Sequence, residues 1–211
     1  MEYWDKRFSD EGKIWGEKPS KSAYYAIKLF EKFDIKTILI PGSGYGRNSK
    51  LFSNANFEVT GIEISKIALE LAKTFDTKTL FYEGSILNMP FSNDIYDAIY
   101  CFNVLHLFTK QDRFIFLRKC FKLLNVGGYI FFTVFSEKEH SFGKGKQLED
   151  NTFESKPGRP THYFTQNDLM EHFTDYIMIE NGIIKEEENH GNLGRHTHIL
   201  RYIFAKKDYK K

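Results

Sequence analysis

The 211-residue chain has only two cysteines, Cys101 and Cys120, each inside an apolar stretch. That usage supports no disulfide framework. Both read as reduced, buried core residues in a reducing, cytoplasmic setting. No apolar run approaches the roughly 18 residues of a membrane span. Met1–Arg7 lacks the apolar centre of a signal peptide. Neither sign of charge prevails: 30 Lys and Arg against 28 Asp and Glu give a net charge of +2. The whole chain therefore makes no case for nucleic-acid or membrane partners. The terminal Lys206, Lys207, Lys210 and Lys211 read as a solvated tail. Internal repeats and separate linkers are also missing, which predicts a single domain over 1–211.

What is present is an alternation of short β-like runs with helical patterns. The runs are Thr37–Ile40, Phe57–Ile62, Thr79–Tyr82, Asp97–Phe102 and Tyr129–Val134. Ser65 suits the N-cap of a helix through Ala68, Leu69 and Ala72. Between Gln111 and Leu124, the residues Phe114, Leu117, Phe121 and Leu124 share one helical face, and Gly127-Gly128 is expected to end that helix. Such alternation implies βαβ units and a mostly parallel sheet, with its ligand beyond the C-terminal strand ends. Ser136–Thr161 differs: two of the chain's five prolines fall there, with Gly143, Gly145 and Gly158 and no clear period. It reads as a long loop, a lid or insertion over 136–164. Thr165 suits a cap for a helix through Leu169 and Phe173. Tyr176–Glu188 and Ile199–Phe204 read as a late antiparallel strand pair within 165–211. The leading 1–34 reads as an N-terminal lid and helix, and 35–135 as the cofactor-binding core.

The first run empties into Pro41-Gly42-Ser43-Gly44-Tyr45-Gly46-Arg47. Alternate glycines let backbone turn sharply and approach a ligand closely. Alone this is a weak signal, shared by dinucleotide sites and plain tight turns. The spacing is G-x-G-x-G, with Arg47 where the dinucleotide fingerprint wants a small residue, which favours a cofactor without pyrophosphate. Glu63 ends the second run, placed to accept both ribose hydroxyls. Ser85 and Ile86 follow the third, a polar edge contact and an apolar face for a purine. Phe102 and Asn103 end the fourth, beneath the cofactor's reacting end.

Taken in order, "ILIPGSGYGRNS", "VTGIEIS", "EGSILNMPF", "YDAIYCFNVLH" and "LLNVGGYIFFTV" resemble the successive motifs of class I S-adenosylmethionine-dependent methyltransferases. "GRNS" and, more loosely, "ENHGNLGRHTHILRYIFAKK" resemble the tellurite-resistance methyltransferases. "YWDKRF…WGEKPS" is similar to the N-terminal lid of thiopurine and small-thiol methyltransferases. The resemblance implies an α/β, Rossmann-like doubly wound fold. Its seven-stranded sheet would be mostly parallel, with an antiparallel C-terminal strand. It implies S-adenosylmethionine as cofactor and S-adenosylhomocysteine as product. The implied contacts are Trp15, on the methionine part, with Gly42, Ser43, Gly44, Glu63, Ile64, Gly84, Ser85, Ile86, Phe102 and Asn103. Two positions depart from the class: Ile40 and Ser85 stand where acids are usual. The implied reaction is methyl transfer to a small-molecule acceptor, a soft nucleophile such as a thiol, selenium or tellurium species. A non-catalytic cofactor-binding protein and a nicotinamide-dependent oxidoreductase are the alternatives.

On the acceptor side, His106 is the candidate catalytic residue, as a base or as a packed helix-start histidine. Arg159 and His162, in "GRPTHYF", either hold an anionic acceptor or pin the loop. Trp4 lies in a polar leader without helical period, which suits a lid contact to acceptor. His190, His196 and His198 lie near Glu186–Glu188. Their spacing matches no standard zinc motif, so no metal is assigned.

Overall fold

The computed structural model describes residues 2–91, 95–189, 194–208 and 210. The leader forms helix α1 (Glu2–Glu11), and α2 (Lys21–Lys32) precedes the first strand, β1 (Thr37–Pro41). Then come α3 (Ser49–Asn54), β2 (Glu58–Glu63), α4 (Lys66–Phe75), β3 (Leu80–Glu83), β4 (Tyr96–Phe102), α5 (Lys110–Leu123) and β5 (Leu124–Phe135). A small meander follows, β6 (Lys146–Glu149), β7 (Thr152–Lys156) and β8 (Arg159–His162), then α6 (Gln166–His172), β9 (Tyr176–Asn189) and β10 (Arg195–Lys207).

The main sheet runs β3-β2-β1-β4-β5-β10-β9. Its first five strands are parallel, and β10 lies antiparallel to both β5 and β9. Chain order reverses between β1 and β4, which opens a crevice above their C-terminal ends. One face buries Ile38, Ile40, Tyr100, Phe131 and Phe204 against Phe30 of α2 and Phe52 of α3. The other buries Leu39, Ile99, Phe132 and Ile203 against Phe116 of α5 and Leu169 of α6. β4 carries buried residues toward both faces, the mark of a central strand covered on both sides. Cys101 and Cys120 are buried there, and burial raises both thiols, so they pack as inert core residues. Ser65 and Thr165 each accept the backbone N–H of the third residue of their helix, as capping requires.

Three local expectations need correction. The leader is helical: Trp4 and Phe8 stand one turn apart and pack against Ile67, Ala68 and Leu71 of α4. Ser136–Thr161 is not a structureless loop, because half of it is the antiparallel sheet β6-β7-β8. Helix α5 ends at Leu123, and Gly127 and Gly128 lie inside β5. There Gly127 takes φ of +75°, at a register shift opposite Tyr96–Ala98, so the glycines serve a bulge. Among the described residues no helix is long and apolar enough to cross a membrane.

Candidate active site

The turn after β1 is held by β2. Gly42 and Ser43 both donate backbone N–H to the carbonyl of Ile62, at 2.8 and 3.1 Å. Gly42, Gly44 and Gly46 take φ of +66°, +57° and +86°, a region costly for side chains. A Cβ on Gly42 would lie 2.6 Å from Val104, after β4, so that glycine permits close packing. A Cβ on Gly44 would meet nothing within 4 Å and would point into open space before the turn. The Ser43 hydroxyl is buried there without a hydrogen-bond partner.

Glu63 closes this turn from beneath. Its Oε1 accepts the N–H groups of Ile64 and Ser65, and Oε2 accepts that of Gly44, all at 2.9 Å. Burial raises its pKa, against the pull of those three bonds. A carboxylate offers about four acceptor positions, so one remains, on Oε2. A two-oxygen contact to ribose, as expected from sequence, would require one of these backbone bonds to give way. Gly84 donates to the Glu63 carbonyl at 2.9 Å and brings β3 to the same edge. Beyond it Ser85 Oγ accepts Leu87 N–H at 3.2 Å, and Ile86 is buried. The Ser85 hydroxyl hydrogen is the polar group this edge presents. The open space before Gly44, the partnerless Ser43 hydroxyl and the last Glu63 position together fit the amino-acid and ribose portions of S-adenosylmethionine.

The leader roofs the turn. Trp15 stacks on Tyr45 with ring centres 6.1 Å apart and also lies against Trp4 and Phe8. Burial pushes the Tyr45 phenol up to about 12, so it stays protonated. It donates to the Gly16 carbonyl at 2.7 Å and accepts Trp15 N–H at 3.1 Å. Asp5 of α1 accepts from the Ser65 hydroxyl at 2.7 Å. Arg47 donates to the Trp15 carbonyl and pairs with Glu188 of β9 at 2.5 Å, both side chains being almost fully buried. Its guanidinium also lies 5.3 Å from the Phe102 ring centre.

At the other side of the crevice, Asn103 takes φ of +56° and accepts the Thr133 hydroxyl at 3.0 Å. His106 follows in the 3-10 turn Leu105–Leu107. It is buried, stacks on Phe135 at 4.1 Å and accepts Phe135 N–H on Nδ1. Burial, with nearby Arg159, His198 and His162, lowers its pKa well below the ordinary histidine value. It is therefore a neutral ring whose Nδ1 is already engaged. β8 packs on this turn and brings Arg159 over the site. Arg159 donates to the Tyr3 hydroxyl at 2.8 Å and lies over the rings of Tyr3 and Trp4, while its Nε is buried without a partner. Burial would raise the Tyr3 phenol, but Arg159, Arg7 and Lys156 outweigh it and lower its pKa.

His162 has both ring nitrogens engaged, Nδ1 with Thr152 at 2.8 Å and Nε2 with Asp168 at 2.5 Å. It fastens the meander to α6. The structure so gathers the glycine turn, Glu63, Trp15, Trp4, Phe102, Asn103, His106 and Arg159 around one crevice. His190 and Gly191 lie outside the described residues.

Sequence reasoning missed Tyr3, Tyr45, Glu139, Glu188 and the role of Arg47. Tyr45 had a signal, an aromatic between turn glycines. The carboxylates had none, since their partners stand far away in the chain.

Residues 39–132 match the methyltransferase domain family model. No curated protein matches the sequence. Among solved structures, a protein of the conversion of a disulfide bond into a thioacetal group during echinomycin biosynthesis superimposes with a TM-score of 0.77. The two are 14% identical, covering 100% of this chain and 94% of that one. A 1,6-didemethyltoxoflavin-N1-methyltransferase of Burkholderia thailandensis, with bound S-adenosylhomocysteine, gives 0.72 at 17% identity, covering 98% and 86%. TehB from Haemophilus influenzae gives 0.69 at 16%, covering 97% and 67%. Residues 39–132 thus carry a methyltransferase domain match, and the sheet order and the glycine turn give the whole chain the fold of these solved methyltransferases.

Proposed function

We propose that this chain transfers the methyl group of S-adenosylmethionine to a small, soft acceptor, a thiol or a selenium or tellurium species. The observation that carries this reading is the composition of the crevice beyond the glycine turn. Aromatic rings line it, with Arg159 over Trp4 and with Arg47 between Trp15 and Phe102. Polarizable atoms such as sulfur make favourable contacts with ring edges. An anionic group on the acceptor would find Arg159, whose Nε has no protein partner.

The cofactor, when bound, supplies a carbon already activated by a sulfonium. What this chain adds is placement. The Gly42–Gly46 backbone and the last Glu63 acceptor position hold the amino-acid and ribose ends, with Ser85 and Ile86 at the purine. Trp15 closes over the turn and excludes water. Trp4 and Arg159 orient the acceptor from above Phe102 and Asn103. Near-attack alignment of this kind is worth about 7–11 kcal/mol in favourable cases.

The test is a cofactor-turnover assay that reads S-adenosylhomocysteine across alkyl thiols, selenite, tellurite, and simple hydroxyl and amine metabolites. Turnover on thiols or chalcogen species is expected. Faster turnover on hydroxyl or amine compounds would overturn the acceptor class. S-adenosylhomocysteine should also raise Tm and NADH should not, because a ligand bound only to the folded state stabilises it.

A further inference from the structure

The meander turns a cation toward the crevice. Arg159 begins β8, which packs on the 3-10 turn after β4, and Val104 at the head of that turn lies against Gly42. Arg159 is close enough to His106 to lower its proton affinity. Its guanidinium lies 5.3 Å from the ring centre of Tyr3 and 5.6 Å from that of Trp4, so two rings of α1 set its place. Among the described residues its one side-chain hydrogen bond runs from Nη1 to the Tyr3 hydroxyl, at 2.8 Å. Nε shares the other edge of the guanidinium with Nη2, and Nε is buried without a partner. Lys156 brings a second cation, with Nζ 3.4 Å from the same hydroxyl. Arg7, the third charge acting on Tyr3, pairs with Glu11. Glu154, opposite this strand in the meander, accepts Gly158 N–H at 2.7 Å. Arg159 and Lys156 thus meet on one phenol oxygen, and among the described residues no carboxylate pairs with either. A guanidinium presents its N–H groups as a planar fork that matches a carboxylate edge to edge. A buried N–H without a partner costs stability that an acceptor atom restores.

We propose that this seat takes a carboxylate of the acceptor, edge-on to Nε and Nη2 of Arg159, and that the acceptor is a small thiol acid. The proposal rests on the methyltransferase reading above and narrows its acceptor. Tyr3 is a positioning residue, since its phenol holds Nη1, and Lys156 adds charge at the rim. Arg47, the other cation of the crevice, is already paired with Glu188. The seat also stands apart from the reacting end. Arg159 lies over Tyr3 and Trp4, whereas Trp15 and Phe102 flank Arg47, and the rings of Trp4 and Trp15 are 6.4 Å apart. A short carbon chain must therefore carry the sulfur from the anion seat to the methyl group. An oxyanion of selenium or tellurium has charge and nucleophile on one centre and cannot fill both places. In the transfer the acceptor's thiolate, its proton already lost to water, bonds to the methyl carbon. The bond from that carbon to the sulfonium breaks, and its electron pair leaves a neutral thioether. The carboxylate stays on Arg159 throughout.

The experiment compares 3-mercaptopropionate with 3-mercaptopropionamide, its uncharged counterpart of the same length, in the wild-type chain, Arg159→Met and Tyr3→Phe. The wild-type chain should favour the acid by about 10- to 150-fold in kcat/KM, the range of a charge-assisted pair. Arg159→Met should erase that preference, chiefly through a raised KM for the acid, while its Kd for S-adenosylhomocysteine changes little. Tyr3→Phe should raise KM for the acid several-fold and keep kcat, a split that a purely structural phenol would not produce. Equal kcat/KM on acid and amide in the wild-type chain, or equal losses on both in Arg159→Met, would overturn the proposal and leave thiol methylation standing. A chain that binds S-adenosylhomocysteine but methylates neither compound would overturn it together with the thiol reading. Failure to bind S-adenosylhomocysteine at all would instead bring down the methyltransferase reading beneath both.

Discussion

Glu63 shows how a single side chain is prepared before any ligand arrives. Three backbone N–H groups fix its carboxylate, so the remaining Oε2 position has a set direction. A hydroxyl that binds there orders no side chain in doing so. Replacing Glu63 with Gln removes the charge and turns one acceptor into a donor. The affinity for S-adenosylhomocysteine should fall by roughly 1–3 kcal/mol, about 5- to 150-fold, in calorimetry. An unchanged Kd would remove Glu63 from the cofactor site. The place of this residue was legible in the sequence, because a strand end after a glycine turn is a local pattern. His198 and Glu139 were not legible as a pair. They stand 59 positions apart and meet only because the turn after β5 folds back onto antiparallel β10. A spacing rule has no access to such a contact.

At the scale of elements, the leader shows where periodicity falls short. Helix α1 buries few large side chains of its own, and its aromatic stripe is completed by Trp15, beyond its end. Windowed patterning sees a polar segment, whereas tertiary packing makes the helix. The meander β6–β8 escaped for a related reason. Its strands are four or five residues long and the residues they bury, Thr152, Thr161 and His162, are polar, so alternation of apolar and polar residues is barely written. The strands β1 to β4 were legible to within a residue at each end, whereas β5 starts at Leu124, before the run expected from Tyr129. The leader's hold on the glycine turn passes through Trp15. Trp15→Ala removes the stack on Tyr45 and the rings of Trp4 and Phe8 lose a neighbour. Aromatic pairs are worth about 0.5–1.5 kcal/mol beyond their buried area. The variant should bind S-adenosylmethionine several-fold more weakly while keeping its far-ultraviolet circular dichroism. Normal binding by this variant would mean that the leader packs without roofing the cofactor.

The whole molecule carries two covers, α1 with its leader and the β6–β8 meander, seated on one rigid sheet. The meander is fastened by a buried chain of polar contacts. Thr152 meets His162, His162 and His172 meet Asp168, and Arg113 donates to His172. Burial alone would raise the Asp168 pKa, but the hydrogen bonds from His162 and His172 outweigh it and lower it. Burial lowers His162 from its ordinary value. Both shifts have the same sign for stability. A histidine kept neutral in the fold, and an acid kept ionised, favour the folded state at high pH. That advantage is lost as pH falls, beginning near the unfolded histidine value of about 6.5 and extending through the carboxylate range. Amide exchange in 146–162 should therefore lose protection between pH 7 and pH 5, more than the strands of the main sheet do. His162→Gln should flatten the part of that dependence that begins near the histidine value. Protection independent of pH in the wild-type chain would show that the contacts to His162 do not secure the meander.

The bond from Arg159 to the Tyr3 hydroxyl joins these two covers directly. A contact shared by both covers ties their fates: a meander that loosens also takes a hydrogen bond and a cationic neighbour away from the leader.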